Sequence, residues 1–250
     1  MRKYKIEHSL DSPERSMLHG ELIKRKLFLR KLYQEWYAIF TSEINRLPEG
    51  LLVELGSGGG FLKEVEPRII CTDIIDLPTN DLTFSALNMP FDDQSVAGLF
   101  MIDTMHHIPD SKKFLTEASR ILKKGGKLVM IEPANTIWGR FIYRNFHHEP
   151  FIPEGSWTIP STGPLSGANG ALPWIVFIRD REIFAKKFPG LKIESIAYLN
   201  PFTYLFSGGV SRAQLLPDFA YPIVKYFDRW LPRISKHFSM FMVLKISSLG

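Results

Sequence analysis

Residues 51–61, Leu-Leu-Val-Glu-Leu-Gly-Ser-Gly-Gly-Gly-Phe, decide how the rest of this chain is read. An apolar, strand-like run ends in a glycine cluster and leads into a short helical pattern, which is how an α/β chain brings bare backbone against a ligand. Gly56, Gly58, Gly59 and Gly60 permit the positive φ of a tight bend and remove the Cβ atoms that would hold a ligand off. Two common ligand classes do not fit. A dinucleotide fingerprint begun at Gly56 needs a glycine where the chain has Phe61, and no Gly-Lys-Ser/Thr phosphate loop follows. Glu54, just ahead of the bend, suits a cationic group, because a carboxylate repels phosphate.

Downstream, Ile69-Ile70-Cys71-Thr72 is a β-prone run ending at Asp73 and Ile74. An acid at the carboxyl end of a second parallel strand can accept hydrogen bonds from both hydroxyls of a ribose. Pro67 stops the intervening helix after little more than one turn. Val96 to Ile102 reads as a buried central strand that delivers Asp103-Thr104-Met105-His106-His107-Ile108-Pro109-Asp110 to its carboxyl end, where open α/β sheets bind ligands. Residues 111–122 have helical spacing, closed by the turn Lys123-Lys124-Gly125-Gly126. A strand over 127–131 then ends at Glu132-Pro133.

Glu-Leu-Gly-Ser-Gly-Gly-Gly, the His-His-x-Pro-Asp run, and Ser85-Ala86-Leu87-Asn88-Met89-Pro90-Phe91 together resemble class I S-adenosylmethionine-dependent methyltransferases of the type 11 kind. The resemblance covers roughly residues 51–133. It implies a Rossmann-like, doubly wound α/β fold with a seven-stranded, mostly parallel sheet closed by an antiparallel hairpin, and S-adenosyl-L-methionine as cofactor. It also implies cofactor contacts from Glu54, Gly56, Ser57, Gly58, Gly60, Asp73, Ile74, Ser85, Ala86 and either Ser85 or Asn88 at the adenine. The family's usual acid at that place is Ser85 here, a weaker acceptor. Asn-Pro-Pro-Tyr, the mark of many base-modifying members, is absent, which argues against a nucleic-acid target.

The rest of the chain surrounds this core. Residues 1–48 are expected as an N-terminal helical cover, with Ser12-Pro13 starting a helix and a break at His19-Gly20. Residues 49–250 make the methyltransferase domain, with its last strands at 192–199 and 239–247. Substrate-side insertions at 134–179 and 200–238 form a lid. The 250 residues, 45% of them apolar, suit one such domain, and the single Cys71 excludes a disulfide framework. The formal charge of +5 is uneven: Arg2, Lys3, Lys5 and Lys24 to Lys31 load the start, Arg212 to Lys236 the end. The expected location is cytoplasmic, with peripheral contact at the inner membrane face through the aromatic and basic stretch 200–238.

His107, His106 and Asp103, then His147 and His148, are the candidate bases for an alcohol acceptor; a carboxylate acceptor would need none. Adjacent residues such as His147-His148-Glu149 do not naturally face one ion, so no metal is expected. His19-Gly20-Glu21 and Asn200-Pro201-Phe202 resemble segments of bacterial enzymes that tailor surface glycans, which makes a lipid-linked sugar the expected substrate. A soluble small metabolite or lipid, and a non-catalytic cofactor-binding scaffold, are the alternatives.

Overall fold

The computed structural model describes residues 8–160 and 162–250; Arg2, Lys3 and Lys5 lie outside them. Two helices, α1 (Pro13–Arg25) and α2 (Leu27–Ile44), precede β1 (Leu51–Leu55), α3 (Leu62–Val65), β2 (Ile69–Asp73) and the two-residue edge strand β3 (Leu82–Thr83). Then come β4 (Val96–Ile102), α4 (Ser111–Ile121), β5 (Leu122–Pro133), α5 (Ile137–Phe146), α6 (Leu172–Trp174) and α7 (Arg181–Lys187). The chain closes with β6 (Leu191–Leu199), α8 (Thr203–Ser207), α9 (Tyr221–Ile234) and β7 (Phe241–Ser248). The sheet order is β3-β2-β1-β4-β5-β7-β6. Pairings are parallel except those of β7 with β5 and β6, so the expected Rossmann-like, mostly parallel seven-stranded sheet is present.

All seven residues of β4 are buried because it is central and covered on both faces. Its alternate side chains divide between two cores: Leu99 and Met101 join α4, α6 and α7, while Ala97, Phe100 and Ile102 meet α2 and α5. The strand order reverses between β1 and β4, the crevice where such sheets take ligands.

Two local expectations need correction. The N-terminal helix starts as read, with Ser12 Oγ accepting from the Arg15 N–H at 3.3 Å, but it breaks at Lys26, which is extended, and not at His19-Gly20. Gly20 lies within α1 for another reason: a Cβ there would sit 2.4 Å from the Gly59 carbonyl oxygen, so the glycine lets α1 touch the ligand bend. The turn expected at Lys123-Lys124-Gly125-Gly126 is absorbed into β5, which runs from Leu122 with a register shift against β4. Gly125, at φ +77°, supplies the left-handed residue of that irregularity. β3 went unread because two exposed residues carry no periodicity.

Candidate cofactor and active site

The carboxyl ends of β1, β2 and β4 open on a cavity of about 340 Å³. Its floor is the glycine bend. Gly56 and Gly58 have φ of +67° and +51°. A Cβ on Gly56 would lie 2.4 Å from the Thr104 side chain, whereas one on Gly58 would meet nothing within 4 Å and so marks the open side. The bend is held from three directions. Asp73 accepts from the Gly58 N–H at 2.9 Å with one oxygen and from the Ile75 N–H at 2.9 Å with the other. Ser57 N–H donates to the Thr72 carbonyl at 2.9 Å. Tyr37, on α2, accepts the Phe61 N–H at 3.0 Å through its hydroxyl.

Glu54, Gly56, Ser57, Gly58, Gly60, Asp73, Ile74, Ser85 and Ala86 all line the cavity. Asn88 does not; its N–H turns to the Ser85 carbonyl at 2.9 Å. Of the two acceptors considered for the adenine end, Ser85 is the one on the wall. Glu54 is 3% exposed, and burial pushes its carboxyl up to about 8 against the hydrogen bonds from Ser57 and Cys71. Burial also raises Asp73, opposed by its backbone hydrogen bonds. A cationic amine near Glu54 would favour the ionised form and offset that cost. Bare backbone at the bend, one carboxylate beneath it and one beside it therefore fit a sulfonium nucleoside carrying an amino acid tail.

Beyond the bend, Asp103 closes β4 with φ +53°, a conformation unfavourable for a residue with a side chain and one that functional sites often hold. Burial pushes it up to about 7, partly offset by His106. His106 is buried, with Nδ1 at 2.8 Å from Glu132 and Nε2 at 3.2 Å from Glu149. Burial opposes its charge, but those two carboxylates outweigh it and hold its pKa well above the ordinary value. His107 lies on the cavity wall with Nδ1 at 3.0 Å from the Gly167 carbonyl, and burial beside His106 lowers it to about 4. His147 and His148 reach the same cavity from the end of α5, with Nδ1 and Nε2 at 3.7 and 3.6 Å from Glu149.

Sequence reasoning missed Tyr33, Tyr37 and Tyr204 on this wall, because helix aromatics read as core until tertiary packing brings their rings to a cavity. Glu132 had a visible signal, an acid at a strand end. Its Oε1 accepts the N–H groups of Thr104, at 3.0 Å, and Met105, and its Oε2 meets His106.

Residues 53–130 match the family model described as a methyltransferase domain. A demethylmenaquinone methyltransferase of Symbiobacterium thermophilum is 28% identical over 118 residues, 46% of each chain, so the chain spans about half the length of that curated relative. Among solved structures, geranyl diphosphate C-methyltransferase from Streptomyces coelicolor A3(2), with Mg2+, geranyl diphosphate and S-adenosyl-L-homocysteine, is 15% identical with a TM-score of 0.52, over 99% of this chain and 92% of that one. A geranyl diphosphate methyltransferase complexed with S-adenosylmethionine is 12% identical with a TM-score of 0.50, over 92% and 90%. At these identities the structural likeness speaks for the fold. Residues 53–130 are thus similar to a methyltransferase domain, carried on a Rossmann-like sheet whose glycine cradle fits S-adenosylmethionine as the cofactor.

Proposed function

We propose that the protein transfers a methyl group from S-adenosylmethionine to an oxygen on a lipid-linked acceptor, with a lipid-carried sugar as the acceptor. The observation that carries this reading is a second, partly apolar cavity beside the first. The cofactor cavity adjoins a second one of about 440 Å³, sharing Leu10, His147, His148, Tyr204 and Ser211 with it. Ile142, Phe146, Leu205 and Met240 make much of the second wall apolar, as a hydrocarbon chain requires. The curated relative is named for demethylmenaquinone, an apolar acceptor, which favours an acceptor with an apolar tail.

The cofactor supplies the activated methyl group. In this reading Glu54 faces its amine and Asp73 its ribose. Ser85 and Ala86 flank its base. Asp103 takes the acceptor proton, being the strand-end carboxylate on the cavity wall. His106 and His107 set the acceptor's position, since each commits its Nδ1–H to a fixed acceptor. The helical cover at 1–48 and the insertions at 134–179 and 200–238 choose the acceptor.

Peripheral membrane contact belongs to the same proposal. Among the described residues no helix is long and apolar enough to cross a membrane. α9, however, turns Val224 and Asp228 inward and leaves Phe219, just before it, and Ile223, Tyr226, Phe227, Trp230 and Ile234 in solvent beside Arg229 and Arg233. That face suits the interface of an anionic bilayer.

Calorimetry with S-adenosyl-L-homocysteine, followed by methyl release with lipid-linked sugars, tests the reading. Binding of the nucleoside with turnover on lipid-linked acceptors supports it. No nucleoside binding removes the enzyme, and turnover only on soluble metabolites removes the acceptor class. Asp103→Asn should lower turnover about 100-fold or more, a typical share for a positioned base, with nucleoside binding kept. Co-sedimentation with anionic vesicles should fall on Trp230→Glu and at high salt; unchanged pelleting would dismiss α9 as the contact.

A further inference from the structure

We propose that His106, His107 and Glu149 bind a divalent first-row transition-metal ion whose remaining coordination positions face the cofactor cavity. The argument starts from where the ring protons must be. A backbone carbonyl has no hydrogen to give, so the 3.0 Å contact of His107 Nδ1 with Gly167 places the proton on Nδ1 and leaves Nε2 as a bare lone pair. Glu132 already accepts two backbone N–H groups, and its other oxygen takes the Nδ1–H of His106 at 2.8 Å. The second imidazole is thereby turned the same way. Both Nε2 atoms then converge on one carboxylate, His106 at 3.2 Å from Glu149 Oε2 and His107 at 3.7 Å from Oε1.

His107 Nε2 is a lone pair aimed at a carboxylate, and His106 Nε2 meets the same carboxylate through a proton that a metal ion would displace. That proton satisfies one contact only, because 3.7 Å is too long for a hydrogen bond from His107. An ion satisfies both. Metal–ligand bonds of about 2.1 Å in a tetrahedron set neighbouring donor atoms about 3.4 Å apart; His106 Nε2 lies 3.2 Å from one Glu149 oxygen and His107 Nε2 3.7 Å from the other, both near that value. The three donor atoms lie within 4.8 Å of one another. Two imidazoles and one carboxylate with open positions suit the borderline divalent metals.

The outer shell is built as well. A carboxylate behind one ligating histidine and a backbone carbonyl behind the other are the partners that fix tautomer and ring orientation in metal sites. Glu149 is placed by the insertion at 134–179: Gly170 N–H donates to the Pro150 carbonyl at 2.9 Å, and Asn169 N–H to the His106 carbonyl at 2.9 Å. The two competing clusters carry less. His147 Nδ1 already accepts the Glu149 N–H at 3.4 Å, and His148 is half exposed. In the Asp103 group, His106 Nδ1 and Glu132 are spent on each other. His107 and Glu149 stand on the cavity wall, so an acceptor oxygen could complete the coordination and be acidified there. Ion binding is independent of the methyl-transfer reading; only this last use of the ion rests on it.

The test strips the protein with a chelator and titrates Co2+ and Zn2+, with S-adenosyl-L-homocysteine calorimetry alongside. One equivalent of Co2+ should bind with visible ligand-field bands that Zn2+ bleaches. Glu149→Gln and His107→Ala should each weaken Zn2+ by about 100-fold or more, with nucleoside affinity within about threefold of wild type, a change of under ~1 kcal/mol. No saturable Co2+ or Zn2+ binding by the wild type, or variants that bind as tightly as it does, would overturn the site. If a variant does not fold, Zn2+-dependent shifts of the His106 and His107 imidazole signals in the wild type replace it; unshifted signals refute the site. Zn2+ binding without nucleoside binding would leave this site standing and remove the cofactor reading.

Discussion

Two walls of one cavity are made in different ways. The cofactor wall is backbone: Gly56 to Gly60, shaped by positive φ and by the absence of side chains, and braced by Asp73 and Tyr37. The facing chemistry is side chain: His106, His107 and Glu149 come from segments more than forty residues apart and meet through Glu132, Gly167 and Asn169. A backbone cradle is written in consecutive residues and tolerates almost no substitution. A side-chain constellation is written nowhere in particular, and each member can be replaced at a cost confined to its own contacts.

That contrast predicts where damage is greatest. Gly56→Val introduces a branched side chain at φ +67° with a Cβ 2.4 Å from Thr104. It should abolish detectable nucleoside binding in calorimetry, a loss of about 100-fold or more, and destabilise by the ~1–3 kcal/mol of a strained residue. Near-normal binding would mean the cradle is not made by bare backbone.

Asp73→Asn should weaken nucleoside binding by about tenfold, one charge-assisted hydrogen bond's worth. Melting temperature should fall as well, because the amide has one oxygen for two backbone N–H groups: if it accepts from Gly58, its NH2 faces the Ile75 N–H. An unchanged affinity would leave Asp73 as a brace for the bend only.

Glu54→Gln sharpens the comparison through pH. The folded protein holds the Glu54 proton up to about 8, against 4.5 for a free side chain, so the native state binds more protons between those values and stability falls as pH rises through them. The variant lacks this loss. Its melting temperature without nucleoside should match wild type at pH 4.5 and exceed it by about 10 °C at pH 8, since a displacement from 4.5 to about 8 is worth roughly 5 kcal/mol at the upper pH. Nucleoside binding should fall at the same time. A variant less stable at pH 8 would show that burial does not penalise this carboxylate.

Tyr37→Phe removes the acceptor of the Phe61 N–H and nothing else that is charged. Leaving that buried donor unmet costs about 1 kcal/mol, so a weakening of nucleoside binding of about fivefold at most is expected. A loss as large as that of Gly56→Val would assign the bend's shape to α2 instead of to the glycines.

Legibility followed the same division. The parallel core between 51 and 133 was readable because strand runs, the glycine bend and strand-end acids are local patterns, and local sterics enforce them. Gly20 was misread for the opposite reason: its role is contact with Gly59, thirty-nine positions away, and a lone glycine in a helical pattern looks like a break. The Lys123–Gly126 segment was misread as a cap because β5 recruits it by pairing with β4, a tertiary override of turn chemistry.

Among the histidines, the sequence placed His106 and His107 at a ligand-facing strand end and treated His147-His148-Glu149 as a separate cluster, unsuited to one ion. What it could not contain is the orientation of each ring, which is set by an acceptor on another element, Glu132 for one and Gly167 for the other. Sequence by itself determined the elements whose causes lie within a few bonds: the bend, the strands around it and the acids at their ends. Tertiary structure alone decided which side chains share a cavity, because burial, tautomer and donor convergence depend on neighbours that only folding brings together.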